Sequence, residues 1–293
     1  MDPELGAAVY TSQPAARMVA ISCAQLDGRD AERSVRIAEA RSAILRGAER
    51  AREGGDTDVL VVLPELWPVG FFHFDDYVTA AETLEGEVVS TVREAARESH
   101  AWVVGGSFIE RSDDGLHNTT ILIAPDGDLV LTYRKIHLFG YQSAEAKLLV
   151  PGNEPKVANT PWGRVGVMTC YDIRFPELSR DLVNRGADLL LVVSAWPAAR
   201  IEHWRALLRA RAIENQVWVA ATNTAGSDAG VRLGGHSVIV APDGVVFAEA
   251  GSQEEDLVGS IDVAACARTR AEFPFLQDGR YLVRLKNTDD AAS

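Results

Sequence analysis

Cysteine is scarce in this chain. Cys23, Cys170 and Cys266 lie far apart among 293 residues. An odd number so widely spaced makes no disulfide framework and fits a reducing compartment, so a cytoplasmic location is expected. Long apolar runs are missing too. No stretch approaches the ~20 apolar residues of a membrane span, and residues 1–16 lack the basic start and apolar block of a signal peptide. They read as a loose N-terminal extension. Positive charge is in deficit, with 29 Lys and Arg against 42 Asp and Glu, a formal charge of −13. That disfavours nucleic acid and anionic membranes as partners. Metal-ligand spacings are absent as well. The six histidines form no His-x-x-x-His pair and no CxxC occurs, so no metal site is expected.

Apolar residues make up 47% of the chain, enough for a substantial core. Strands and helices alternate with no break in composition. Met18–Ala24 reads as a first strand and 30–53 as an amphipathic helix with Val35, Ile37, Ala40, Ile44 and Leu45 near one stripe. Val59–Leu63 is apolar throughout, as in a sheet covered on both faces. A helix over 87–99 and a strand over 102–109 follow. Hairpins are predicted at 119–133 and 236–248, each turning on Pro-Asp-Gly. Residues 137–159 read as loop. The second half repeats the theme with strands at 163–168, 188–193, 217–222 and 257–261, and helices at 176–185, 202–215 and 264–272. The two hairpins sit at similar places in the two halves, hinting at pseudo-symmetry. One α/β domain over 17–275 is expected, with a mixed sheet in each half, the sheets face to face and helices outside. Residues 276–293 read as a C-terminal tail, placed at an oligomer interface.

The segment Met168-Thr-Cys-Tyr-Asp-Ile-Arg-Phe-Pro-Glu177 organises the chain. Cys170 falls where an apolar strand gives way to a helix opened by Pro176 and stopped by Gly186. Free backbone N–H groups at such an elbow lower a thiol pKa and can hold a developing oxyanion. Taken alone, a free cysteine is more often a small buried hydrophobe. Glu65 and Lys135 also end strongly apolar strands, where clefts collect side chains. A carboxylate base, an ammonium and a thiol suit acyl transfer from an amide. Each has a plain alternative, Glu65 as a cap and Lys135 as a solvated strand end, and spacing alone does not bring the three together.

Pro64-Glu65, Tyr133-Arg-Lys-Ile-His-Leu-Phe139 and Thr169-Cys-Tyr-Asp-Ile-Arg-Phe-Pro-Glu177 resemble, in order, the three catalytic segments of the nitrilase (carbon–nitrogen hydrolase) superfamily. The resemblance continues in Arg209-Ala-Arg-Ala-Ile-Glu-Asn-Gln216 and Gly234-Gly-His-Ser-Val-Ile-Val-Ala-Pro-Asp-Gly244. It implies a four-layer αββα sandwich, a Glu65–Lys135–Cys170 triad and a thioester intermediate. It implies no cofactor, a small amide and water as reactants, and a homodimer or larger homo-oligomer. A second glutamate precedes a Pro-Gly in the family, and Glu145, seven residues before Gly152, matches it. The backbone N–H of Tyr171 is implied in the oxyanion site. His137 is expected to be structural.

Nitrile-hydrolysing members typically carry Cys-Trp-Glu. Cys170-Tyr-Asp-Ile-Arg resembles instead the ω-amidase and deaminated-glutathione amidase branches, where the arginine matching Arg174 meets a substrate carboxylate. The alternative for Arg174 is a salt bridge with Asp172 or Glu177. The loop Ala195–Trp204 is shorter than in those amidases, and Trp196 serves there either as pocket wall or as core. Leu207, Leu208, Ile213 and Val217 are candidates for an apolar dimer stripe, or face their own sheet. An N-carbamoyl amide hydrolase, an acyltransferase and a catalytically silent scaffold are the competing readings.

Overall fold

The computed structural model describes residues 15–56, 58–141 and 143–280. Most of the predicted N-terminal extension, and residues 281–293 of the predicted tail, lie outside the described residues.

In chain order the first half holds β1 (Met18–Gln25), α1 (Arg33–Arg52), β2 (Val59–Val62), α2 (Tyr77–Ala80), α3 (Glu87–Ser99), β3 (Trp102–Ser112), β4 (Gly115–Ile123), β5 (Leu129–Arg134) and α4 (Glu145–Leu148). The second half holds β6 (Val157–Thr160), β7 (Gly163–Thr169), α5 (Pro176–Asn184), β8 (Leu189–Ser194), α6 (Ile201–Asn215) and β9 (Trp218–Asn223). It closes with β10 (Ser227–Asp228), β11 (Val231–Arg232), β12 (Val238–Val240), β13 (Val246–Glu249), β14 (Glu255–Asp262) and α7 (Ala265–Glu272). Two six-stranded sheets result, ordered β14-β1-β2-β3-β4-β5 and β13-β12-β9-β8-β7-β6. In each, parallel central strands are flanked by antiparallel ones. β14 closes the first sheet by pairing antiparallel with β1, Met18 opposite Asp262 and Gln25 opposite Glu255.

Period-two alternation assigns the layers. On β1, Val19, Ile21 and Cys23 join Leu60, Val62, Val165, Val167, Leu189, Leu191 and Trp218 in the core between the sheets. The intervening Ala20 and Ala24 lie with Ile37, Ala40 and Ile44 of α1 and Val88 and Val92 of α3 on one outer face. Met168, Leu190, Val192 and Val219 lie with Leu178, Leu182, Trp204 and Leu208 of α5 and α6 on the other. This is the predicted αββα sandwich. Each fully buried Leu or Val side chain supplies about 1.5–3 kcal/mol. Small residues set the layer spacing: a Cβ on Gly47 of α1 would lie 2.6 Å from the Ser22 Oγ.

Some local expectations change. Residues 137–159 are not all loop, because β6 pairs antiparallel with β7 and gains its order from that partner. Val35 is 45% exposed and so leaves the α1 stripe. Leu208 and Val217 are fully buried within the chain's own core, and exposed Ile213 lies over Gly244 of the hairpin turn. These four residues therefore do not form an outward apolar stripe.

Candidate active site

The parallel strands point their carboxyl ends at one cleft. β2 runs through Leu63-Pro64 to Glu65, β7 leads into Cys170, and β8 leads into Ala195-Trp196. Thr169 stands opposite Val193 in the parallel register, so the Cys170 and Ala195 ends lie side by side. The second sheet thus supplies the cysteine, while β2, β4 and β5 of the first supply the groups facing it.

At the floor, Lys135 Nζ lies 2.8 Å from Glu65 Oε1 and 2.9 and 3.0 Å from the two oxygens of Glu145. Asn118 Nδ2 donates to both glutamates at 2.9 Å. The remaining oxygens are also engaged. Glu65 Oε2 accepts the Ala195 N–H at 3.0 Å, and Glu145 Oε2 accepts the Phe139 N–H at 2.7 Å. All three charged side chains are buried. Burial opposes the charge on Lys135, but Glu145, Glu65 and Cys170 outweigh it and hold its ammonium above the usual lysine range. Burial raises the Glu145 carboxyl, Lys135 opposes it, and Glu65 adds repulsion. An ionised lysine between two carboxylates satisfies a group of charges that would be costly apart.

Cys170 opens a 3₁₀ turn (Cys170–Arg174) with φ of 46°. A left-handed backbone at a non-glycine residue costs on the order of 1–3 kcal/mol and is held only where the surroundings over-determine it. Here they do: Asp172 Oδ2 accepts the Thr169 N–H at 2.9 Å and the Tyr133 hydroxyl at 2.6 Å. Its Oδ1 meets the His137 backbone N–H at 3.0 Å and Nδ1 at 2.8 Å. One carboxylate thereby ties the β5 end carrying Lys135 to the turn carrying Cys170. His137 also stacks on Phe175 with ring centroids 3.7 Å apart. The expected lowering of the thiol pKa is reversed. Burial and the Glu65 charge push the thiol well above its usual range, against the pull of Lys135.

Toward solvent the cleft is lined by Phe71, Phe72, Phe139, Tyr171, Arg174, Trp196 and Arg200. The Arg174 guanidinium stacks over Trp196 at 4.6 Å and lies 3.5 Å from His203 Nδ1. The alternative salt bridge is not made: Asp172 is fully occupied elsewhere. Burial lowers the basicity of Arg174, Tyr171 opposes it, and the charge of nearby Arg200 adds a smaller lowering. Trp196 is both wall and core, since it lines the cleft, packs 5.8 Å from Trp204 and is 3% exposed.

Reading the sequence passed over three groups. Asn118 lies within a buried polar run, His117-Asn-Thr-Thr120, inside an otherwise apolar strand. Those polar residues in β4 were the available signal. Asp172 sat within the cysteine segment but was weighed only as a salt-bridge partner. Asp30, His73 and Asp228 come from three separate segments, two loops and the short strand β10, so no sequence spacing shows that they converge within 4.8 Å. There His73 Nε2 meets Asp30 Oδ1 at 2.9 Å and Asp228 Oδ2 accepts the Phe72 N–H at 3.0 Å. This clasp holds the aromatic segment that follows Glu65 against the cleft.

A carbon–nitrogen hydrolase family model matches residues 20–271. A 2-oxoglutaramate amidase of Paenarthrobacter nicotinovorans is 42% identical over 229 residues, covering 75% of this chain and 78% of that protein. An ω-amidase of Mus musculus is 38% identical over 246 residues, covering 79% and 86%. Among solved structures, a CN-hydrolase superfamily protein from Xanthomonas campestris superposes with a TM-score of 0.83 at 32% identity, covering 92% of this chain and 99% of that one. The chain belongs to the carbon–nitrogen hydrolase family, of the nitrilase superfamily. It is an amidase that cleaves an amide C–N bond by cysteine-dependent hydrolysis.

Proposed function

We propose that the protein hydrolyses the terminal amide of a small carboxylate-bearing compound, an ω-amide such as 2-oxoglutaramate, to the acid and ammonia. The observation behind this reading is one cleft with two unlike ends. Cys170 stands beside a fully bonded Glu65–Lys135–Glu145 group, and Arg174 lines the same cleft with no carboxylate partner among the described residues. The names of the relatives point to the same substrate class.

In this reading Glu65 takes the thiol proton as Cys170 Sγ attacks the amide carbon. The high thiol pKa makes the resting residue a neutral thiol, so deprotonation accompanies attack. The Lys135 ammonium and the Tyr171 N–H meet the oxyanion. As the C–N bond breaks, Glu65 returns the proton and ammonia leaves. Glu65 then deprotonates water, which attacks the thioester. The acid departs and Cys170 regains its proton. Glu145 holds Lys135 in place, and Arg174 receives the substrate carboxylate, for which a guanidinium fork is suited.

We place the reaction in the cytoplasm, in a single domain over 17–275 and a homo-oligomer. No described helix is long and apolar enough to cross a membrane. The decisive test is ammonia release from 2-oxoglutaramate, glutamine, an aliphatic amide, an N-carbamoyl amino acid and a nitrile, with Cys170→Ala alongside. Turnover of the ω-amide, lost in the variant, is the expected result. Turnover of the carbamoyl compound alone would displace the reading.

A further inference from the structure

We infer that Arg200 is a second specificity residue, which with Arg174 forms a two-guanidinium clamp for the carboxylate end of the substrate and rejects substrates carrying an α-ammonium. The inference rests on the amidase reading above and deepens it.

Both arginines line the cleft that opens on Cys170. Neither is paired with a carboxylate among the described residues. Arg174 has only a ring nitrogen of His203 and the faces of Trp196 and Tyr171. The Arg200 guanidinium lies 5.8 Å from the Phe139 ring centroid. Elsewhere Arg46, Arg134, Arg205 and Arg211 are all matched to an aspartate or glutamate. Other arginines without a carboxylate partner, such as Arg52, Arg97, Arg111, Arg180 and Arg209, donate to backbone carbonyls instead; Arg174 and Arg200 share one aromatic cleft and make no such bond among the described residues.

The local backbone explains how Arg200 gets there. Trp196 Nε1 donates to the Arg200 carbonyl at 2.8 Å and closes the short turn Ala198–Arg200 ahead of α6. The brevity of this loop, noted from sequence, therefore places a charged side chain on the cleft wall. Arg200 is close enough for its charge to act on Arg174. Like charges in a half-buried, aromatic-walled site repel, and a carboxylate between them turns that repulsion into attraction. An α-ammonium beside that carboxylate faces two cations and is penalised. Aromatic stacking holds the guanidiniums while the site is empty, without neutralising them.

Three five-carbon amides separate the effects: pentanamide (neutral), glutaramate (carboxylate) and glutamine (carboxylate plus ammonium). Steady-state ammonia release would be measured on each with wild type, Arg200→Ala and Arg200→Lys. The clamp predicts that Arg200→Ala lowers the glutaramate-to-pentanamide ratio of kcat/KM by about tenfold or more, chiefly through KM, as expected for a lost charge-assisted hydrogen bond. It also predicts a narrower glutaramate-to-glutamine ratio, with Lys restoring part of both. Ratios within twofold of wild type overturn the role of Arg200, as does a parallel loss on all three amides, which marks a structural role. Wild type that prefers pentanamide over glutaramate overturns the substrate reading itself, before any variant is considered.

Discussion

At the floor of the cleft, each carboxylate oxygen of Glu65 and Glu145 has a partner, and Lys135 is bonded to both glutamates. At the rim, Arg174 and Arg200 carry charge that no described carboxylate meets. The floor is built before substrate arrives, and its groups are held by strand ends and by bonds spanning both sheets. In the proposed reading the rim is completed by the substrate carboxylate. The difference matches the two tasks. Stabilising a transition state requires donors already in place, since reorganising them during reaction adds to the barrier. Recognition gains most from groups whose best partner is the substrate.

The contrast breaks most visibly in stability. Lys135→Ala leaves two buried carboxylates without their cation and is expected to cost about 3–5 kcal/mol, read by urea denaturation. Arg174→Ala, on the half-exposed rim, is expected to change stability by less than about 0.5 kcal/mol. Equal costs would erase the distinction. Next in size is Glu65→Gln, which keeps the shape but removes the proposed base. Turnover should fall by roughly 10²–10⁴-fold while the protein stays folded. Arg174→Ala should raise KM for an ω-amide acid by roughly ten- to a hundredfold, with a smaller effect on kcat, as steady-state kinetics would show. A loss in kcat alone would move Arg174 from recognition to chemistry.

The smallest effect sharpens the electrostatics. Burial and Glu65 raise the Cys170 thiol, so little thiolate exists at neutral pH. Iodoacetamide labelling of Cys170 should keep climbing with pH and not level off near the ordinary thiol pKa of ~8.5. In Glu65→Gln a raising charge is gone and Lys135 still pulls downward, so the labelling curve should move to lower pH even as amide turnover collapses. A wild-type plateau near neutrality would contradict the arrangement at the floor.

Much of this was legible in the chain. Val19-Ala-Ile-Ser-Cys23 alternates because its strand has a sheet on one side and a helix on the other. Val59–Leu63 is apolar throughout because both faces are covered. Pro176 and Gly186 bracket α5 because one lacks an N–H that a first turn would leave unpaired and the other adopts a φ of 93° without strain. The short β6 and the one-turn α4 were missed because neither has enough residues to show a period; β6 is ordered by its partner strand, and α4 lies where Glu145 is held by Lys135, Asn118 and the Phe139 N–H. Asn118 was missed because its meaning comes from two glutamates, 53 residues before it and 27 after it.

The residues themselves determined the αββα layering, through the period of their apolar positions, and marked Glu65, Lys135 and Cys170 through three ordered segments. Only the folded chain decided that Glu145 and Asn118 complete the floor, that Asp172 locks the cysteine turn to the lysine strand, that the thiol pKa rises and does not fall, and that Arg200 stands on the cleft wall beside Arg174. The reason is physical. A period is a local property, set by backbone geometry within a few residues. A pKa or an ion pair depends on distance and burial between groups 70 or 130 positions apart, and those exist only once the two sheets have closed on each other.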